Sequence, residues 1–387
     1  MAIHKNEISE RDMQNIHELR SLVKGDLTSY YDTDFNLLRW LQGHSSLSIP
    51  EIARKLTHHL KLRKSYWDLD SYTQGERNHP IHNHWRRGIT GKSQILENVI
   101  VNVEQCGTTD YSGMMESFSV SEIMRARTYD LEEMLASCMR LEEETGKQAW
   151  ILYVMDITGL EYNKKLYDLV TGSMKALADF MAEHYVEMIK FFVPVAMPTF
   201  ATALYTVLRP LLPERTKHKV VMLSSAHWKE EILQYAQADA LPSFWNEGKH
   251  SFSAKLELPC KYPIEKYYAN LKLKAPVNAE HLNILAGKSH VQTFELKKND
   301  RISWWIMGNR NMGFGFFKAE KENENDFDIM SQITPSFPGM PGPLLVPLEE
   351  EVTIKEDGTY KIWLDNSRSW WFTLTVTQLI EIHTVDS

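Results

Sequence analysis

Cysteine is scarce in this sequence of 387 residues, which contains only Cys106, Cys138 and Cys260. An odd number of widely separated cysteines forms neither a disulfide framework nor the paired spacing of a zinc site. The scarcity argues against a disulfide-stabilised secreted domain. We therefore expect a protein of the reducing cytoplasm that holds no structural metal.

Long apolar runs are also missing. No segment approaches the roughly 20 apolar residues that cross a bilayer, and residues 1–7 lack the apolar core of a signal peptide. The formal net charge of -8 argues against a nucleic-acid partner, because the protein has no overall positive field. Any contact with a membrane is therefore expected to be peripheral and transient.

Recognisable catalytic motifs are absent as well. The Gly-Lys-Ser run at 91–93 ends like a P-loop, but Arg86 occupies the position of the motif's first glycine. Three histidines at 79–84 could hold zinc, yet Pro80 interrupts them and no fourth ligand stands nearby, so a solvated loop is the favoured interpretation. The sequence also lacks a Gly-x-Ser-x-Gly elbow. We predict a protein without enzymatic activity, cofactor or metal.

What the sequence does contain is an alternation of helices and strands. Apolar residues at helical spacing predict short helices over 9–67 and a longer helix over 119–144. Apolar, β-branched stretches at 98–103 and 149–155 predict buried strands, and residues 187–248 have the pattern strand, helix, strand, helix. This order indicates an α/β layer in which helices pack on a mixed sheet.

An amphipathic helix is predicted over 199–212. Pro198 and Pro210 bracket it as natural hinge points. Its apolar stripe consists of Phe200, Leu204, Val207, Leu208 and Leu211. Such a helix either covers an apolar pocket and lies on a membrane when displaced, or packs permanently in the core.

The pattern changes after residue 250. Residues 251–280 show no sustained periodicity and are interpreted as a linker, whereas 281–387 alternate apolar and polar residues between Asp, Asn and Gly turns. Phe372 and Leu374 belong to the last predicted strand, and the proline-rich segment 334–347 is predicted to interrupt the strands as a loop. The C-terminal part is therefore predicted to be an all-β antiparallel sandwich.

Several short motifs follow one another in a fixed order. They are the turn Val-Ala-Met-Pro at 195–198, the helix end Pro-Leu-Leu at 210–212 and the strand Lys-Val-Val-Met-Leu at 219–223. Upstream lie the strand end Met-Asp-Ile-Thr-Gly-Leu at 155–160 and a Leu-Leu-Arg-Trp-Leu signature within 34–41. In this order the motifs resemble those of the CRAL-TRIO family of lipid-binding domains.

The resemblance implies a mixed α/β fold with a helical subdomain over 1–74 and a lipid-binding domain over 75–250. It also implies that the ligand is a bound lipid, held in an apolar pocket beneath a gate helix. The pocket and gate are expected to be formed by Phe191, Val193, Phe200, Leu204, Val207, Leu208, Leu211 and Val221.

Two charged residues match the headgroup site of the family's phosphatidylinositol-binding members. In those members a glutamate after a helix and a lysine on the next strand contact the inositol phosphate, and Glu187 and Lys219 hold these positions here. Burying both would be costly unless they are paired or bound to a ligand. Because residues 185–188 lack the proline and arginine of the family's motif, an ordinary surface ion pair is the alternative.

The C-terminal segment carries a second set of motifs, at 291–296, 300–305, 313–316 and 358–366. These resemble the GOLD (Golgi dynamics) domain, which implies docking to a protein partner and a peripheral location on Golgi or other endomembranes. The predicted function is cytosolic binding and transfer or presentation of a phospholipid, such as phosphatidylinositol, or of another small hydrophobic molecule. The alternative is a membrane-trafficking adaptor that bridges proteins and transfers no lipid.

Overall fold

The structure is a computed structural model that describes residues 2–75, 77, 79–161, 172–211, 214–321 and 324–384, without the side chains of 173, 174, 204, 207, 208, 211 and 215. The chain divides into two compact units. The first unit comprises Met1–Thr57, Gly75–Asp110 and Ala126–Lys261, and the second comprises His58–Gln74, Tyr111–Arg125 and Tyr262–Ser387. Each unit therefore draws on segments that are far apart in the sequence.

A four-stranded mixed sheet forms the centre of the first unit. Its strands are β1 (Arg87–Lys92), β2 (Val99–Glu104), β3 (Trp150–Asp156) and β4 (Ile189–Val195), in the order β1-β2-β3-β4. β1 pairs antiparallel with β2, whereas β2, β3 and β4 run parallel. The positions of β2 and β3 agree with the predicted strands at 98–103 and 149–155, and the mixed α/β layer is confirmed.

The described helices begin with side-chain caps where the sequence offers them. They are α1 (Glu10–Leu22), α2 (Asp34–Gly43), α3 (Ile49–Arg63), α4 (Tyr111–Ser117), α5 (Val120–Thr145), α6 (Ser173–His184), α7 (Thr199–Leu208), α8 (Glu214–Lys217) and α9 (Trp228–Glu231). Ser9 and Thr33 accept hydrogen bonds from backbone N–H groups in the first turns of α1 and α2. Of these helices, none has the length and apolar character needed to cross a bilayer.

The segment after α7 extends the sheet by a single bridge. Val220 pairs in parallel with Phe192, and two backbone hydrogen bonds of 2.9 Å join Phe192 to Lys219 and Val221. The sequence predicts a longer strand at 219–223, but only this bridged position forms. The segment nevertheless lies beside β4 at the edge of the sheet.

Two four-stranded antiparallel sheets make up most of the second unit. Their strands are β5 (Glu280–Ile284), β6 (Ser289–Leu296), β7 (Arg301–Gly308), β8 (Met312–Ala319), β9 (Ser331–Met340), β10 (Leu348–Thr353), β11 (Gly358–Asp365) and β12 (Leu374–His383). The strand orders are β10-β7-β12-β5 and β6-β11-β8-β9. The ring of Trp304 on β7 lies 5.6 Å from the rings of Phe314 and Phe316 on β8, so an aromatic core joins the two sheets.

Two details of the second unit differ from the sequence interpretation. β9 occupies Ser331–Met340, where the proline-rich segment predicts a loop. It lies at the edge of its sheet and pairs with a neighbouring strand on one side only. Pro335 and Pro338, which have no backbone N–H to donate, are tolerated in such an edge strand. β12 begins at Leu374, so Phe372 lies in the preceding loop and not in the strand.

Short segments from the N-terminal half of the sequence belong to the second unit. The backbone N–H of Tyr66 donates to Ile333 O at 2.7 Å, and the ring of Trp67 lies 6.1 Å from that of Phe337 on β9. The Arg125 guanidinium lies 5.9 Å from the Trp67 ring centre. The unit is therefore assembled from three parts of the chain.

The arginine of the Leu-Leu-Arg motif forms a buried ion pair in the first unit. Arg39 on α2 donates to the Glu142 carboxylate on α5 and to Ala149 O at 2.8 Å. The same carboxylate accepts the Ala149 N–H at 2.8 Å. The pair thus connects two helices to the residue that precedes β3.

Glu142→Ala should lower the free energy of unfolding by about 3–5 kcal/mol, because it leaves the buried Arg39 guanidinium without its carboxylate. Glu144→Ala is the control on the same helix. Glu144 forms an exposed pair with Lys92 at 2.7 Å, and its loss should change the free energy by less than about 1 kcal/mol. Urea unfolding measures both, and equal losses would contradict the role assigned to Arg39 and Glu142.

The three histidines at 79–84 have separate environments. His79 caps the turn Pro80–Asn83, and His84 Nδ1 lies 2.7 Å from Cys260 O. His82 is only 4% exposed. The solvated loop expected from the sequence is therefore wrong for His82, whose ring packs inside the first unit.

The buried carboxylate of Asp130 organises the charges around His82. Arg77 and Arg87 lie 2.8 and 2.9 Å from Asp130 Oδ1, and His82 Nε2 lies 3.2 Å from Ala126 O. Burial alone would raise the pKa of Asp130, but the two guanidinium groups hold it well below its ordinary value. Burial lowers the pKa of His82 to about 4, and the Asp130 charge opposes this only in part. His82 is therefore neutral at pH 7.

This neutral histidine predicts a loss of stability in acid. Between the folded-state pKa of about 4 and the ordinary value of 6.5, the unfolded chain binds more protons at this position than the folded protein. The free energy of unfolding should therefore fall by up to about 3 kcal/mol as the pH is lowered through this interval. Urea titrations at several pH values measure the profile.

His82→Gln should flatten that part of the profile, whereas His17→Gln, at an exposed position, should leave it as in the unsubstituted protein. A pH dependence that survives His82→Gln unchanged would contradict the assignment.

Candidate ligand-binding site

A cavity of about 370 Å³ lies on one face of the first unit's sheet. Because side chains of a strand alternate between its two faces, Tyr153 and Met155 of β3 line the cavity together with Phe192 and Pro194 of β4. Val220, at the bridge beside β4, extends this wall. The floor of the cavity is thus built by every second residue of neighbouring strands.

Two helices supply the facing walls. Leu177, Ala178 and Met181 of α6 line the cavity, as do Ala201 and Tyr205 of α7. Leu177 and Ala178 precede Met181 by four and three positions, and Ala201 precedes Tyr205 by four, so the residues of each helix lie on one side of it. Apolar side chains of the sheet and of both helices therefore surround most of the space.

Three residues predicted for the pocket lie on the other face of the sheet. Phe191, Val193 and Val221 belong to, or pack against, an apolar cluster that contains Trp228 and Ile232. The assignment is off by one residue along the chain, which moves each side chain to the opposite face. Their neighbours line the cavity in their place.

Of the predicted gate residues, only Phe200 has a described side chain, and it is half-buried without lining the cavity. Leu204, Val207, Leu208 and Leu211 lie outside the described side chains. The predicted helix over 199–212 consists of α7 and a 3-10 turn at Arg209–Leu211. Pro210 has no N–H to continue the α-helical bonding.

The two residues predicted for the headgroup meet in the wall of the cavity. Lys219 Nζ lies 2.8 Å from Glu187 Oε2 and 2.9 Å from Ile189 O. Both side chains are about one-fifth exposed. Glu187 has a left-handed backbone with φ 53°, which is uncommon for a residue with a side chain. The structure therefore brings a fixed cation and a fixed anion together in a largely apolar lining.

A second polar group in the lining is not predicted by the sequence reasoning. Tyr153 OH donates to the Glu104 carboxylate and accepts from Arg127 at 2.6 Å, and Arg127 also lies 3.4 Å from Glu104 Oε2. All three side chains are buried. The sequence feature that could have revealed this group is the pair of polar residues Asn102 and Glu104, two positions apart in an otherwise apolar strand.

This geometry suits a molecule that is mostly apolar and carries polar groups. A hydrocarbon ligand would leave the Glu104, Tyr153 and Arg127 cluster and the Lys219–Glu187 pair facing an apolar surface, which is unfavourable for polar groups. An amphiphile can meet both kinds of surface at once. The volume lies within the range of pockets that hold small organic ligands.

Comparison with protein families assigns most of the chain. Residues 98–248 match the CRAL/TRIO domain, and residues 267–387 match a family described as the F28H7_8_C-like C-terminal domain. Residues 8–72 match a domain of unknown function. The GOLD resemblance of the C-terminal segment stays a prediction.

Two full-length relatives come from Caenorhabditis elegans. The CRAL-TRIO domain-containing protein F28H7.8 is 26% identical over 94% of this chain and 90% of its own length. Protein ctg-1 is 22% identical over 96% of both chains. The crystal structure of Sfh5 covers 64% of this chain and 94% of its own, with 14% identity and a TM-score of 0.46.

The cavity described above lies within the segment that matches the CRAL/TRIO domain. Most of its lining, from Glu104 to Val220, falls between residues 98 and 248. Residues 98–248 thus match the CRAL/TRIO domain, and the chain is similar over most of its length to a CRAL-TRIO domain-containing protein.

Proposed function

We propose that this protein binds an amphipathic lipid in the cavity of the first unit and transfers it to, or presents it at, endomembranes. The observation that carries the proposal is the apolar space between β3, β4, α6 and α7, with the charged Glu187 and Lys219 in its wall. Such an arrangement offers separate surfaces for acyl chains and for a polar headgroup.

Carriage of this kind needs no catalytic residue. At about 0.8 kcal/mol per buried methylene, two acyl chains of roughly 30 methylenes gain on the order of 24 kcal/mol over water. A bilayer offers nearly the same gain, so the lipid's free energy in the cavity and in the membrane almost balances. The rate of exchange then depends on opening a route, and we propose α7, between Pro198 and Pro210, as the element that moves.

The headgroup proposal concerns Lys219 and Glu187. A phosphate bound beside Lys219 would compete with Glu187 for the ammonium group, and charge-assisted hydrogen bonds of this type are stronger than neutral ones. The existing contact of 2.8 Å keeps the lysine charge compensated before a ligand arrives. Phosphatidylinositol is therefore the lipid that we propose for this site.

The C-terminal sheets are proposed to dock the carrier at Golgi or other endomembranes through a protein partner. They share an aromatic core within the second unit, which also includes segments from the N-terminal half of the chain. Native mass spectrometry and lipid extraction of the purified protein test the carrier function as a whole. A stoichiometric lipid supports it, whereas a reproducibly empty and transfer-inactive protein favours an adaptor.

Ala178→Trp should fill part of the cavity and reduce the bound lipid by at least about tenfold, because the indole occupies space that acyl chains would need. Ala176→Trp is the matched control, since Ala176 lies on the same helix and is equally half-buried but does not line the cavity. Native mass spectrometry counts the lipid in each variant. Equal retention by both would remove α6 from the proposed binding wall.

Lys219→Ala should weaken binding of phosphatidylinositol by about 10- to 150-fold, which corresponds to the loss of a charge-assisted contact of roughly 1.5–3 kcal/mol. Phosphatidylcholine should bind much as before, because its fit depends mainly on the apolar wall. Competition between the two lipids, together with a melting curve, provides the measurement.

Lys217→Ala is the control, because Lys217 pairs with the exposed Glu214 and does not line the cavity. If Lys219 serves only to support Glu187, its removal will lower the melting temperature and the binding of both lipids together. Unchanged selectivity for phosphatidylinositol would reject the headgroup role.

A further inference from the structure

Three consecutive aromatic side chains project into solvent from the second unit. Trp370, Trp371 and Phe372 are 86%, 85% and 60% exposed. They lie in the loop 366–373 between β11 and β12, which we call the aromatic loop. Such large apolar residues are usually buried, and an exposed group of them marks an interaction site.

The aromatic loop has a defined backbone. The buried Asn366 side chain donates to Ile284 O and to Phe372 O, both at 2.9 Å. The Phe372 N–H donates to Ser369 Oγ at 3.2 Å. These bonds fix the base of the loop, so that the outward direction of its indoles is part of the fold.

Four loops meet at this end of the two sheets, as the strand registers require. Ile284, the last residue of β5, pairs with Leu374, the first of β12, and Asp365, the last of β11, pairs with Ser289 and Gly313. The remaining connections are fixed in the same way, because β9 ends beside Met312 and β10 begins beside the end of β7. The loops are 285–288, 309–311, 341–347 and 366–373.

This end is apolar and positively charged. Leu285 and Leu345 are 63% and 49% exposed and add to the apolar surface of the aromatic loop. The four loops contain Lys288, Arg310 and Arg368 and no aspartate or glutamate. Within the described part of the chain, none of these three cations lies within ion-pair distance of a carboxylate.

The opposite end of the same sheets has the reverse charge. The described residues of its connections, at 297–300, 320–330 and 354–357, include seven carboxylates and four lysines. The carboxylates are Asp300, Glu320, Glu324, Asp326, Asp328, Glu356 and Asp357, and the lysines are Lys297, Lys298, Lys321 and Lys355. The sheets therefore carry a charge asymmetry that would orient them in front of a negative surface.

We propose that the aromatic loop docks on the surface of a bilayer that contains anionic lipid. Tryptophan favours the membrane interface because its ring is apolar and its N–H is polar. Basic residues beside such a ring are attracted to anionic headgroups. The Arg310 guanidinium already lies 4.7 Å from the centre of the Phe372 ring, which places a cation at the level of the aromatic group.

The charges favour a bilayer over a protein as the occupant. An anionic membrane presents a negative surface to every cation of this end at once, and it needs no shaped groove to receive a protruding loop. The docking proposed here uses only the second unit, and does not depend on what the cavity of the first unit binds.

Flotation of the full-length protein with vesicles tests the proposal. The unsubstituted protein should bind vesicles of phosphatidylcholine with one-third phosphatidylserine, and bind pure phosphatidylcholine vesicles more weakly. The double substitution Trp370→Ser with Trp371→Ser should weaken binding to the anionic vesicles by at least about tenfold, because it removes the inserted apolar area. Arg368→Glu should weaken binding to the anionic vesicles only.

Ile329→Ser is the control, since Ile329 is 49% exposed in the acidic connection between β8 and β9. It should leave flotation unchanged. Melting curves establish that each variant is folded, and native mass spectrometry of the double variant separates loss of docking from loss of cavity ligand. Failure of the unsubstituted protein to float, or equal flotation of the double variant, would overturn the proposal and would indicate a protein partner for the aromatic loop.

Discussion

The two faces of the first unit's parallel strands impose opposite requirements on the same short segments. β2, β3 and β4 have apolar side chains on both sides, because each side is covered. On one side Val193 and its neighbours pack around Trp228 and Ile232. On the other side Phe192 and Pro194 face the cavity. The same strands therefore pack closely on their first side and line the cavity with their second.

The polar residues that line the cavity are likewise held in place by packed elements of the first unit. Glu104, Tyr153 and Arg127 contact one another in a network whose members are held by β2, β3 and α5. A buried charge network of this kind is unfavourable when one member is missing, because the remaining charge then stays buried without its partner. The Lys219–Glu187 pair follows the same rule at a more accessible position.

The sequence predicted the positions of the strands better than it predicted the face of the sheet on which each side chain lies. The strands at 98–103 and 149–155 were clear because β-branched runs are continuous when both faces are buried, but that continuity removes the alternation which would tell the faces apart. Phe191 and Phe192 are equally apolar, so nothing local assigned one of them to the cavity. Charged residues were easier to place than apolar ones, because in an apolar wall Glu187 and Lys219 each need a partner of opposite charge. The sequence did not predict strand β9, because its prolines are equally typical of a loop.

The second unit also constrains the order in which the chain can become folded on the ribosome. Trp67 packs with Phe337, and the intervening stretch of about 270 residues takes roughly 15–50 seconds to synthesise. During that interval Trp67 and the segment Tyr111–Arg125 lack the strands that belong with them. A nascent chain of this protein therefore exposes apolar surface long before its release, which is the state that chaperones recognise.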